Sequence, residues 1–547
     1  MPSPEKKNLT RKRKAAPAAI ASNGSNKKNK EQSLEEKFQK DREKAAKSIM
    51  EFRFIKRRAR LLTEAQLTKE GCSGIAYWMS RDGRVQDNWA MLFAQKLAIK
   101  NQVPLHVVFC LLPKFLDATL RHYKFLLRGL EEVSEQCSML NIQFHILRGQ
   151  EAIVEFVEQQ NIGGIVCDFS PMDFSEKWIE EVKKNVPENV PLVQVDAHNI
   201  VPVWVASDKV EYSARTIRKK ITNNLEEFLT PFPPVIVHPY SAESPASEID
   251  WKGLMKFLKV DKKVDEVDWA VPGYKAALAV LKEFTEHRLE KYSSQRNDPL
   301  ADAQSNLSPW LHFGQISAQR CILYVNEFRN QFTESVEMFC EEAIVRRELA
   351  DNFCFFSENQ STFEGLHNWA RTTLDAHRKD KREYVYSRKK LDDALTHDDL
   401  WNAAQLQMKH EGKMHGFLRM YWAKKILEWT QSPEEAISTA LYLNDRYSLD
   451  GRDPNGIVGI LVSQSLIPGR ILFSQYRFFL PEVVNWRPAR WSLDGASSLW
   501  EDSLHGYERM QKEIQREGIR GALWQSRSGE ENGQEEMILR EVKIMNL

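Results

Sequence analysis

A run of about 18 or more apolar residues, the length a membrane-spanning helix needs, is missing from this chain. Mean hydropathy is −0.51, and a membrane protein is not expected. Near the amino terminus there is no apolar core followed by a small-residue cleavage site, which argues against a secretory signal peptide. Cysteine is scarce: the seven residues Cys72, Cys110, Cys137, Cys167, Cys321, Cys340 and Cys354 are scattered, odd in number and free of C-x-x-C spacing or histidine clustering. That pattern predicts a reduced, intracellular protein without a zinc or other metal site. An excess of one charge is lacking too, with 77 Lys and Arg against 76 Asp and Glu and a net charge of +1. A uniformly basic nucleic-acid binder is thereby excluded, but a local basic face on a balanced body is not.

What the chain does have is 547 residues, 42% of them hydrophobic, enough for two or more domains with a large core. Residues 1–60 read as a disordered basic leader, polar and rich in Lys, Ala, Ser and Asn, with room for a short charged helix near 34–54. Within it, Arg11-Lys12-Arg13-Lys14 and then Lys27, Lys28 and Lys30 have the form of a nuclear import signal. A basic tail that only adds non-specific DNA affinity is the plainer reading.

Over 66–205, apolar runs alternate with helical periodicity. Ile75 to Met79, Leu105 to Leu112, Gln143 to Leu147, Ile165 to Asp168 and Leu192 to Val195 read as buried strands. This rhythm predicts an α/β domain with a parallel, doubly wound sheet. After the first strand stands Ala76-Tyr77-Trp78-Met79-Ser80-Arg81-Asp82 rather than G-x-G-x-x-G, so a nicotinamide dehydrogenase is disfavoured. A ligand of the sheet belongs at the strands' carboxyl ends, near Ser80 and Arg81 or the loop 168–172; a ligand-free scaffold is the alternative.

Residues 206–272, rich in Pro and mixed charge, read as an interdomain connection. They include the basic segment 212–220, which suits a phosphate or simply starts a solvated helix. From 273 to 460 strands give way to long helical patterns, an all-α domain. Gln304-Ser305-Asn306-Leu307-Ser308-Pro309-Trp310-Leu311 sets small polar side chains ahead of a helix, suited to a phosphate or to ordinary capping. In the helix around 414–429, Trp422 and Trp429 lie on nearly one face, about 10.5 Å apart along the axis. Short electron hops or a core aromatic stripe both account for them. The run 443–456, dense in turn formers and carboxylates, either rings a polar heterocycle or reverses the chain, and it lacks calcium-loop spacing.

Together and in order, several of these segments resemble the class II cyclobutane pyrimidine dimer photolyases, of the photolyase and cryptochrome superfamily. The matching runs are Asp87-Asn88-Trp89-Ala90, Tyr212-Ser213-Ala214-Arg215-Thr216, Ser305-Asn306-Leu307-Ser308-Pro309, Arg347-Glu348-Leu349-Ala350-Asp351-Asn352-Phe353, the stretch 420–429 and Asp450-Gly451-Arg452-Asp453-Pro454-Asn455-Gly456. The likeness extends from about Arg57 to Gly459. It implies a helical domain that buries FAD, used as FADH−, and an α/β domain with an optional antenna chromophore of unspecified identity. By the resemblance, Tyr292, Ser305, Asn306, Leu307 and Ser308 hold the flavin ribose and phosphates. Asn444, Asp450, Asp453 and Asn455 surround the isoalloxazine, with one of the two Asn residues, Asn444 by preference, near N5. Trp401, Trp422 and Trp429 form an electron-transfer chain, Glu342 and Met420 touch a flipped-out dimer, and Arg296 and Asn297 lie near the DNA. The implied activity is light-driven splitting of pyrimidine dimers in double-stranded DNA by a deoxyribodipyrimidine photo-lyase; a monomer is expected, and the basic clusters of the leader point to the nucleus.

After Gly459 the likeness stops, and 461–547 read as a divergent tail with a charged stretch at 501–516. The family's DNA-facing Trp falls at Val462, which cannot stack in the gap left by a flipped lesion. A repair-incompetent flavin- and DNA-binding variant is therefore the alternative to repair.

Overall fold

The computed structural model describes residues 33–465. The import-type clusters at 11–14 and 27–30, and the tail from 466 onward with its stretch at 501–516, lie outside the described residues.

A single six-stranded sheet forms the α/β part, built from β1 (Ala59–Leu61), β2 (Gly74–Met79), β3 (Leu105–Leu111), β4 (Gln143–Arg148), β5 (Ile162–Asp168) and β6 (Leu192–Val195). Its order is β1-β6-β5-β2-β3-β4. Every position of β2 and β5 is buried, as central parallel strands covered on both faces require. β2 to β6 run parallel, as expected, while β1 pairs antiparallel with β6 at the edge. With only three residues, β1 is too short to leave a period in the sequence.

The strand order reverses between β2 and β5, where a doubly wound sheet ordinarily takes its ligand. Here the backbone N–H groups of Ser80, Arg81 and Asp82 donate to Asp168 at 2.9, 2.9 and 3.0 Å, and the Tyr77 hydroxyl donates at 2.7 Å. The chain's own carboxylate thus fills the nest a phosphate would occupy. Burial, together with the neighbouring Asp82, pushes Asp168 up to about 6.

Two segments are more ordered than the sequence predicts. The leader, read as disordered with room for a short charged helix near 34–54, has that helix over Leu34–Ala45, capped by Ser33, and the helix is docked on the body. Phe38 is buried against Tyr324 with ring centroids 5.4 Å apart. Arg42 clamps Asp87 through bonds of 2.9 and 2.8 Å and reaches the Tyr274 hydroxyl at 2.7 Å. Arg320 grips the same carboxylate at 2.9 and 2.7 Å. One apolar face and one buried arginine order a polar segment, and both partners come from distant sequence. The connection at 206–272 is likewise packed: the helix Ala214–Phe228 sinks Ile217, Ile221 and Phe228 into a core shared with the helical half. Of its basic face, Arg218 pairs with Glu341 at 2.7 Å and Lys220 pairs with Glu211 at 2.5 Å.

In the helical part, two long helical stretches are interrupted by π-helical turns. Tyr274–Glu283 passes through Phe284–Arg288 into Leu289–Gln295, and Thr333–Cys340 passes through Glu341–Arg346 into Arg347–Phe356. Such turns shift the side chains that follow them around the helix. The Arg347–Phe356 helix fastens the two halves: Arg81 bonds Asp351 at 2.7 and 2.9 Å, and Glu348 accepts from the Ile200 N–H at 2.7 Å.

Candidate active site

A cleft in the helical part collects residues from five distant segments. Tyr292 comes from Leu289–Gln295, Ser305 and Ser308 from the run that enters the short helix Ser308–His312, and Glu342 from the second π-helical turn. Arg419 comes from Gly416–Trp429, Asp450 and Asp453 from the loop leading into Pro454–Ser465, and Asn455 from the first turn of that helix. The helix Ser308–His312 starts without a side-chain cap. Capping therefore does not consume the hydroxyls and amide of 305–308.

The acids of the cleft are held ionised. Arg419 donates to Asp450 at 3.1 Å, and the Ser448 hydroxyl donates at 2.9 Å. Burial raises the Asp450 carboxyl, but the charges of Arg419 and His312 and the hydrogen bonds from Ser308 and Ser448 together outweigh it, and the net shift is downward. His312 donates to Asp453 at 2.9 Å, and the Asn455 N–H and side-chain amide donate at 2.9 Å. Burial again opposes ionisation, yet the His312 bond and charge hold Asp453 well below the usual carboxylate range. On the far wall Arg347 donates to the His198 carbonyl at 2.9 Å, while its other terminal nitrogen has no partner among the described residues.

The expected residues do not all face the cleft. Leu307 is fully buried in the core, so only its backbone is available there. Asn306, with a φ of 59°, turns to a neighbouring cavity and accepts a hydrogen bond from Lys413. Asn455 lines the cleft, whereas Asn444 lies behind Gly456, whose Cβ, if present, would sit 2.9 Å from the Asn444 amide nitrogen. At the rim Arg296 pairs with Glu342 at 2.7 Å. Asn297, Met420 and Val462 are exposed. His198, His312, Arg347 and Arg419 line the cleft without having been singled out as site residues. Arg347 lay within a quoted motif; His198 had no sequence signal, since the loop after β6 delivers it.

The three tryptophans form a contiguous array. Trp401 stacks on Trp422 with centroids 6.4 Å apart and planes at 6°, and meets Trp429 edge-on at 5.6 Å. Trp401, from the helix Asp399–Glu411, thus stands between two residues that sequence places on one helix face. Beyond Trp429 the array continues to Tyr386 at 5.6 Å and to His397 at 5.1 Å, and His397 stacks on Tyr384 at 3.8 Å. These three lie outside the periodic segments and were not foreseen.

A second cavity opens at the carboxyl ends of the strands, walled by Trp78, Phe109, Phe115, Phe174 and Trp178. It shares His312 and Asp453 with the cleft. Among the described residues no cluster of three or more His, Cys, Asp or Glu is placed to hold a metal, and no helix is long and apolar enough to cross a membrane.

Residues 75–238 match the family "DNA photolyase". A deoxyribodipyrimidine photo-lyase of Potorous tridactylus is 56% identical over 79% of this chain and 81% of its own length. The chain belongs to the DNA photolyase family. Its motifs place this photolyase in the class II group, and FAD is the family's cofactor. Photo-lyases of Arabidopsis thaliana and of Methanothermobacter thermautotrophicus are 45% and 40% identical, each over 71% of this chain and over 80% and 85% of their own lengths. Among solved structures, a class III photolyase of Agrobacterium tumefaciens matches with a TM-score of 0.57 at 16% identity, covering 73% of this chain and 81% of that one. A Synechocystis cryptochrome matches with a TM-score of 0.58 at 15% identity over 72% and 82%. At those identities the likeness is one of fold, and it agrees with an α/β domain followed by a helical domain.

The photolyase cleft suits a flavin dinucleotide. It offers an unpartnered buried guanidinium nitrogen, the hydroxyls of Ser305 and Ser308 and fixed carboxylates at 450 and 453.

Proposed function

We propose that this photolyase repairs cyclobutane pyrimidine dimers in double-stranded DNA by light, with FAD in the cleft as FADH−. The observation that carries the reading is the 56% identity to a deoxyribodipyrimidine photo-lyase, in a chain whose motif residues converge on one cleft. When bound and reduced, the flavin supplies on excitation an electron that opens the cyclobutane ring, and takes it back.

The chain's residues place and polarise. Tyr292, Ser305, Leu307 through its backbone, and Ser308 hold the ribose and phosphates. Asp450, Asp453 and Asn455 define the polar edge around the ring, with Arg419 and His312 keeping both carboxylates charged and Asn444 one layer behind Gly456. Glu342, fixed by Arg296, and exposed Met420 meet the extruded dimer, and Asn297 extends that rim toward the DNA. Trp429, Trp401 and Trp422, in that order, carry electrons inward, and Tyr386 extends the path from Trp429 toward the surface. The aromatic cavity at the sheet takes a planar antenna chromophore. Its walls offer stacking, and its nest is already filled by Asp168. One chain contains the whole cleft, so a monomer suffices, and the basic clusters at 11–14 and 27–30 support a nuclear location.

The test measures flavin per chain after denaturation, followed by dimer content of irradiated DNA with and without blue light. Flavin near one per chain and dimer loss only in the light are expected. Dimer loss equal in the dark, or none with chemically reduced flavin bound, would overturn the reading.

A further inference from the structure

The aromatic array runs out to a phenol and an imidazole that touch. Tyr386 meets Trp429 edge-on at 5.6 Å, its backbone N–H donating to the Trp429 carbonyl at 2.9 Å, and its hydroxyl lies 2.7 Å from His397 Nδ1. A second bond sets the direction of that contact. The backbone N–H of His397 donates to the Tyr386 oxygen at 3.1 Å, so the phenol's own hydrogen is left for Nδ1 and the neutral ring carries its proton on Nε2. The turn before the helix Asp399–Glu411 fixes the imidazole. Asp398 caps that helix by accepting from the Trp401 N–H at 2.9 Å, and the Asn402 side chain locks Thr396 with bonds of 3.0, 2.8 and 2.9 Å. One helix start therefore positions both a ring of the electron path and the imidazole at its end. Tyr386 is half-buried and His397 exposed, which lets the imidazole exchange a proton with water.

The tryptophans are placed differently. Trp401 donates its indole N–H to the Trp422 carbonyl at 3.1 Å, and Trp422 donates to the Gln405 amide oxygen at 2.9 Å, neither of which is a base. The buried indole nitrogen of Trp429 has no hydrogen-bond partner among the described residues. Lys425, 5.4 Å from the Trp429 centroid, is paired with Glu428 at 2.8 Å, and an ammonium accepts no proton. An indole that gives up an electron here stays a radical cation and is free to take the electron back. A phenol behaves otherwise: once it loses an electron its hydroxyl is a strong acid, so its oxidation runs forward only when a base receives the proton. Of Trp422, Trp401, Trp429 and Tyr386, only Tyr386 has its hydrogen directed at a base among the described residues.

We propose that His397 is the proton acceptor for Tyr386 and that the pair closes the electron path, a proposal that rests on the tryptophan path of the reading above. Tyr386 gives one electron to the Trp429 radical cation and its hydroxyl proton to His397 Nδ1. The O–H bond breaks, an N–H bond forms, Trp429 returns to its neutral state, and the products are a neutral Tyr386 radical and an imidazolium. A thiolate in solution resets the pair, supplying one electron and becoming a thiyl radical, while the imidazolium returns the proton to the phenolic oxygen. Holding the vacancy as a neutral radical at the outer end of the path removes the positive charge that would otherwise draw the electron back.

The experiment follows the full chain with oxidised FAD bound, by transient absorption after a blue flash, in the parent and in Trp429→Phe, Tyr386→Phe, His397→Gln and His397→Ala. Gln keeps a hydrogen-bond acceptor without the basicity. In the parent the tryptophan radical cation should give way to a neutral tyrosyl radical, more slowly in D2O than in H2O. In Tyr386→Phe no tyrosyl signal should appear. In His397→Gln it should form at least about tenfold more slowly, short of the full effect of a positioned base because water replaces part of it. The yield of reduced flavin under continuous light with thiol should fall in step. Imidazole in solution should restore the rate in His397→Ala, which a purely structural loss would not permit. A tyrosyl signal formed at the parent rate in His397→Gln, one that persists in Tyr386→Phe, equal rates in H2O and D2O, or a slowed His397→Ala that imidazole does not rescue would each overturn the proposal while the tryptophan path stood. Photoreduction at the parent rate in Trp429→Phe would instead overturn the path, and the proposal with it.

Discussion

Trp401 shows how one residue reorders a mechanism. The heptad spacing of Trp422 and Trp429 is legible in the chain, but a ring from another helix lies between them, stacked on one at 6.4 Å and edge-on to the other at 5.6 Å. Trp401→Phe is therefore expected to slow photoreduction of oxidised flavin as much as Trp422→Phe, while both variants repair dimers normally after chemical reduction. Absorbance under continuous blue light follows the first and dimer loss the second. Photoreduction at the parent rate in Trp401→Phe would remove it from the path. Asp450, Asp453 and Asn455 were legible because a dense turn with carboxylates is conspicuous in sequence. The orphaned nitrogen of Arg347 was not, since a missing partner is visible only when every neighbour is known.

At the scale of elements, the Leu34–Ala45 helix is held less by its own propensity than by what it docks on. Asp87 is buried between Arg42 and Arg320, and removing one arginine leaves a charge half neutralised. Arg42→Ala should cost roughly 2–4 kcal/mol, near the low end for breaking a buried pair because Arg320 remains. Urea unfolding measures it, and a loss below a few tenths would show that the helix is not anchored there. In the neighbouring strands β3 and β4, His106 and His145 meet at 3.1 Å, with ring nitrogens sharing one hydrogen. Burial pushes both down to about 4, and for His106 the His145 and His238 rings add to it. The folded rings thus stay neutral while the unfolded chain takes up protons below about 6.5, so their contribution is present above that pH and is lost as the pH falls toward 4. His145→Gln should flatten the loss of urea midpoint between pH 7 and 5. An unchanged slope would show that the pair is not responsible.

For the whole molecule, a cofactor bound only by the folded state stabilises it by mass action. Stripping FAD should lower the thermal midpoint, and adding it back at about a thousand times its dissociation constant should restore on the order of 4 kcal/mol. A midpoint insensitive to FAD would mean the described fold does not depend on the filled cleft. The sequence by itself determined the element types, the parallel sheet, the succession from α/β to helical and, through its motifs, the family, because these follow from local periodicity and from runs of adjacent residues. The tertiary structure alone decided what meets what. Arg42 and Tyr274 bond across 232 positions and Arg81 and Asp351 across 270, the leader folds onto the body, and Asp168 closes the nest that a phosphate would have taken. Period and composition report which face of an element is apolar; they carry no information about which distant charge will neutralise a buried one, and that pairing is settled only when burial removes the water that would otherwise solvate both.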